Sequence, residues 1–133
     1  MNKIQQVRQA TQKLYSISNP VIDWNDWVFN NHNEVVAYWV RDLATRYKFD
    51  SEAVEIAAYL HDIAYAWTSK NDPALDEQTD TKAREILNDL GLPSDRIDFI
   101  VEKIISGHGM HEGQKENLPI EAKIFSTADA MAH

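Results

Sequence analysis

A chain of 133 residues, 44% of them apolar, is long enough to bury a core without staples, and its lack of cysteine excludes a disulfide framework and thiolate chemistry. A net charge of −8, from 21 acids against 13 bases, argues against a general nucleic-acid binder. It leaves room for an enzyme acting on nucleotides, where a metal supplies the local positive charge.

No apolar run reaches the length of a membrane span, and "MNKIQQVRQATQKLYS" lacks the apolar stretch of a signal peptide. A cytoplasmic protein without a membrane partner is the expectation. There are no internal repeats, low-complexity tracts or linkers, so residues 1–133 are read as a single domain.

Helical periodicity runs along the chain. A first helix spans about Lys3 to Tyr15, with Ile4, Val7 and Leu14 on one face. "SISNPVIDWNDW" is a connection broken by Pro20. A second helix covers about Asp26 to Tyr47, and a third runs from Ser51 to Trp67 with Asp50 or Ser51 as its cap. "TSKNDPALDEQ" reads as a polar loop around Pro73. The fourth helix, about Thr79 to Leu90, stops at Gly91, and the fifth is capped by Ser94 and buries Ile97, Ile100, Val101, Ile104 and Ile105. Pro119 opens the sixth. No segment alternates like a strand, so the fold class is all-α. Trp24, Trp27, Trp39 and Trp67 are core or helix-junction residues, and Trp67 is near enough to the doublet described next to line a pocket.

Chemistry concentrates in a few positions. At about 100° per residue, His32 shares a stripe with Val36, Trp39 and Leu43, and His61 shares one with Val54, Ala57 and Ala58, so both point inward. Asp62 is open to two readings. It is either an exposed aspartate on a polar stripe with Glu55 and Tyr59, or a partner of its neighbour His61. Asp129 lies on the apolar face of the last helix with Ala122 and Phe125, where an ionised carboxylate is costly unless paired or bound to a metal. Two imidazoles and two carboxylates suit Mn, Fe, Co, Ni, Zn or, less readily, Mg.

These residues resemble the HD domain, a superfamily of helical metal-dependent phosphohydrolases. The pattern is His32 in "NNHNEVVAYWVRDLA", His61 and Asp62 in "YLHDIA", and Asp129 in "EAKIFSTADAMAH". The resemblance runs from about Trp24 to the C-terminus. It implies a compact HD-type bundle of about six helices in which His32, His61, Asp62 and Asp129 hold one divalent cation. It also implies hydrolysis of a small phosphate ester, such as a nucleotide, with Asp62 orienting water or taking its proton. The competing expectations are a catalytically silent module that binds a nucleotide or protein, and a two-iron oxygenase.

"SGHGMHEGQKENLP" holds Gly107, Gly109 and Gly113 together with His108 and His111. It is either a solvated surface loop or the mouth of the pocket. In the second case His108, favoured by the resemblance over His111, meets the substrate phosphate or protonates the leaving oxygen. Two departures from relatives stand out. The sequence ends four residues after Asp129, implying a shortened form or a pocket wall supplied by residues beyond His133. Where many relatives carry a histidine, this chain has Gln78 or Asp80.

Overall fold

Helix α1 (Lys3–Ile17) buries Val7, Thr11 and Tyr15, a stripe at four-residue spacing. The computed structural model describes residues 1–17, 29–68, 71–109 and 118–132; the Pro20 connection, Trp24 and Trp27 fall outside them. The fold is an all-α bundle with no strand among the described residues. Among the described residues no helix is long and apolar enough to cross a membrane.

A π-helical turn, Phe29–Asn33, runs into α2 (Glu34–Ala44). α2 ends before the expected Tyr47 because Thr45 turns back on Asp42, its hydroxyl donating to the Asp42 carbonyl at 2.6 Å. α3 (Ser51–Leu60) begins at Asp50, whose carboxylate accepts the Ala53 N–H at 3.1 Å. Every residue from Ala53 to Leu60 is buried. Ala53, Ala57 and Ala58 let neighbouring helices approach closely, and α1, α2 and the C-terminal helix all pack on α3. The two polar side chains of that buried stretch have partners: Arg41 Nη1 donates to Glu55 at 3.3 Å, and the Tyr59 hydroxyl donates to Glu34 at 3.1 Å. The predicted continuation to Trp67 does not occur. The chain turns at His61 and Asp62 and resumes as a 3₁₀ turn, Ile63–Ala66, closed by Tyr65 N–H on the Asp62 carbonyl at 2.9 Å.

α4 (Leu75–Asp89) starts a turn earlier than the sequence indicated. Asp72 organises that start, accepting from Ala74 N–H at 2.9 Å, Thr68 Oγ1 at 2.7 Å and Gln78 Nε2 at 3.0 Å. Gly91 ends α4 as expected, at φ +82°, with Leu92 N–H on the Leu87 carbonyl and Gly91 N–H on that of Asn88. Lys3 of α1 donates to the Leu90 carbonyl, placing a cation at the negative end of α4.

α5 (Ser94–Asp98) widens into a π-helix over Phe99–Ile105 and closes as a 3₁₀ turn, Ser106–Gly109. Ser94 does not cap it. The extended Pro93 precedes the first turn, so Ser94 is already helical and makes no capping bond. The five predicted apolar residues of this helix are all buried. α6 (Ile120–Met131) follows Pro119. Arg96 of α5 grips the Asp50 carboxylate, and Glu121 of α6 accepts the Asp50 N–H at 2.9 Å, so the start of α3 is fastened to α5 and α6.

Candidate metal centre

Three elements meet at one end of α3. His32 comes from the π-helical turn before α2, His61 and Asp62 from the break after α3, and Asp129 from the buried face of α6. His61 is the C-cap of α3, and its Nδ1–H donates to the Ala58 carbonyl at 2.9 Å. That bond fixes the ring and leaves Nε2 as the end facing the site. The edge of the ring packs on Phe125 of α6, with centroids 5.0 Å apart.

On a continuous helix, adjacent side chains diverge by about 100°. His61 and Asp62 serve one site because the helix stops at Leu60 and Asp62 takes a non-helical backbone, φ −119° and ψ 23°. The polar stripe with Glu55 and Tyr59 is therefore not what places Asp62, and both of those residues are buried. The Asp62 carboxylate turns inward, 3.0 Å from His61 Nε2 and 3.4 Å from His32 Nε2. Asp129 Oδ1 is 3.0 Å from His32 Nε2 and 3.4 Å from His61 Nε2, and the two Nε2 atoms are 3.1 Å apart.

These spacings test whether a cation fits. Ligand atoms about 2.1 Å from an ion lie about 3.0 Å apart across an octahedral edge and about 3.4 Å apart across a tetrahedral edge. The five observed separations, 3.0–3.4 Å, fall in that interval. His32, His61 and Asp129 each place one donor atom within 4.8 Å of the others; Asp62 stands outside that group of three and lies against both imidazoles. The donor set is right for a first-row divalent metal.

Without an ion, protons do the neutralising. Burial pushes the His61 imidazole down, but Asp62 and then Asp129 outweigh it and hold the pKa at about 10. His32 is likewise raised, burial being overcome by Asp129 and Asp62. Burial favours the neutral form of Asp62, yet His61 and His32 hold its carboxyl well below the ordinary range.

The backbone of His108 belongs to the turn after α5, while its side chain, and His111 altogether, lie outside the described residues. Gly107 is buried, and a Cβ there would come within 3.1 Å of Leu118, so that glycine serves the packing of this turn on the chain entering α6. Trp67 is half-exposed, donates to Gln78 at 2.7 Å, and lines a groove of about 430 Å³ with Ala74, Glu77 and Lys82. None of the four candidate ligands lines that groove. Asp80 accepts from Ser106 at 3.2 Å and is not part of the ligand cluster.

Tyr15, which the sequence reading passed over, reaches the site from α1. Its hydroxyl donates to the Asp62 carbonyl at 2.8 Å. Burial pushes its phenol well above the ordinary range and keeps it a neutral donor. The signal available was its position, four and eight residues after the buried Thr11 and Val7.

Comparison with known proteins gives one result. The family model described as the HD domain matches residues 30–132. No curated protein and no solved structure matches.

Proposed function

The chain belongs to the HD-domain family, and on that premise we propose that it is a metal-dependent hydrolase of a small phosphate ester, with nucleotides the leading substrate class. The observation that carries this reading is the cluster of His32, His61 and Asp129, whose donor atoms lie within 4.8 Å of one another, with Asp62 at 3.0 Å and 3.4 Å from the two imidazoles. In the proposal these four side chains hold one divalent cation: Mn, Fe, Co, Ni, Zn or Mg.

When bound, such a cation supplies a nucleophilic water near neutral pH and neutralises phosphate oxygens. The chain's own residues do the rest. His61, fixed by its bond to Ala58, and His32 set the direction from which substrate approaches. Asp62 is less enclosed than Asp129, with side-chain exposures of 25% and 11%, so it is the carboxylate placed to orient water or take its proton. His108 is assigned the protonation of the leaving oxygen, with His111 and Trp67 as weaker substrate contacts. The net charge of −8 argues against a general nucleic-acid partner and leaves room for a small phosphorylated one at a cation-bearing site.

The test is phosphate release from a panel of phosphomonoesters and nucleotides with Mn²⁺. Turnover that chelator abolishes and that Asp62→Ala loses is the expected result. A panel with no turnover above the Asp62→Ala background would overturn the hydrolase reading. A ligand that raised Tm without being consumed would then point to a silent binding module.

A further inference from the structure

We propose that α1, which precedes the span matched by the family, is a working part of the metal site, and that Tyr15 is its positioning residue. The inference rests on the metal reading above and adds a residue to it. Asp62 can face the site only because the backbone departs from the helix at the doublet. Two donors hold the carbonyl of that departure: the Tyr65 N–H at 2.9 Å, from within the same turn, and the Tyr15 hydroxyl at 2.8 Å, from a helix 47 residues away in sequence.

The two donors have different consequences. Without the Tyr15 hydroxyl the Asp62 carbonyl would still accept from Tyr65, so no buried acceptor would be left bare and the fold would lose little. What would be lost is the fixed external point that sets the orientation of the Asp62 peptide, and with it the carboxylate. Tyr15 also touches the segment that carries His32. Its ring packs on Phe29, centroids 6.1 Å apart, and the wholly buried Asn33 lies beside its hydroxyl. Phe29 and Asn33 are the two ends of the turn that holds His32. One side chain of α1 thus braces both ligand-bearing breaks, the arrangement by which outer residues tune metal sites.

The test uses the full chain and Zn²⁺ alone, with affinity measured by competition against a chromophoric chelator. Tyr15→Phe keeps the ring against Phe29 and removes only the hydroxyl. It is expected to weaken Zn²⁺ binding about tenfold, the low end of the effect of removing an outer partner of a metal ligand. The metal-free Tm should stay close to wild type. In an Asp62→Ala background the same substitution should weaken Zn²⁺ binding less, since the part of its effect that passes through the Asp62 carboxylate is already gone. Equal affinities for wild type and Tyr15→Phe overturn the proposal, as does an equal loss in both backgrounds. A Tyr15→Phe chain that fails to fold also overturns it, because the hydroxyl would then serve the fold rather than the site. A wild type that binds no Zn²⁺ would remove the metal reading itself, an outcome distinct from all of these.

Discussion

Raising the pH should strengthen metal binding steeply, because the metal-free site is filled with protons. The imidazole of His61 is held at about 10, so at neutral pH it is charged, and an incoming cation must displace that proton. At pH 7.5 the displacement spans about 2.5 pH units, a penalty on the order of 3 kcal/mol, or a few hundredfold in apparent affinity. Each pH unit between 7 and 9 should therefore raise the apparent Mn²⁺ affinity about tenfold per proton displaced. His32 is raised for the same reason and adds to the slope. Stability of the metal-free protein moves the opposite way. A raised imidazole stabilises fully below its ordinary value of 6.5 and loses that contribution as pH climbs toward about 10. The lowered carboxyl of Asp62 contributes above its ordinary 3.8 and is lost as pH falls below that. Anaerobic Mn²⁺ titrations, reading free ion by electron paramagnetic resonance, give the affinity at each pH. Calorimetry in buffers of different ionisation heat counts the protons released. An affinity flat from pH 7 to 9, with no proton release, would refute the electrostatic account of the site.

Removing a ligand should remove the ion: His61→Ala and Asp129→Ala are expected to lose bound metal after desalting, and full occupancy in both would dismiss the site. Metal analysis of Mn-loaded wild type should give about one ion per chain; a value near two, with a spin-coupled iron signal after iron loading, would favour the two-iron alternative. His108→Ala should lower turnover with metal content unchanged, and unaltered kinetics would return that loop to a surface role. Asp50→Ala removes the cap of α3 and the partly exposed Arg96 pair. It should cost about 1–2 kcal/mol, seen as a Tm several degrees lower, whereas an unchanged Tm would contradict the role given to Asp50.

His32, His61 and Asp129 were legible as inward-facing because each lies in a regular apolar stripe, which spacing alone reveals. Asp62 was not, since a helical wheel assumes the helix continues, and here it ends two residues earlier. The same assumption carried α3 to Trp67. The π-helical stretch at Phe99–Ile105 left no mark in the sequence, because its buried residues Ile100, Val101, Ile104 and Ile105 keep the spacing of an ordinary helix. Ser94 and Asp72 show how turn chemistry decides boundaries. A proline before the serine took the cap position, and an aspartate before Pro73 began α4 early. Tyr15 was hidden for a different reason. Its value lies in one hydrogen bond to a backbone carbonyl, and no pattern of residue types encodes that.

The burial of α3 on every side has a consequence in time as well as in space. From Ala53 to Leu60 it offers no face to solvent, so its amide hydrogens exchange only when the whole bundle opens. His61 is anchored to the end of that segment by its own bond to Ala58. The imidazole is thus tied to the slowest-opening part of the chain, and an ion bound there, on leaving, would find this ligand still in place.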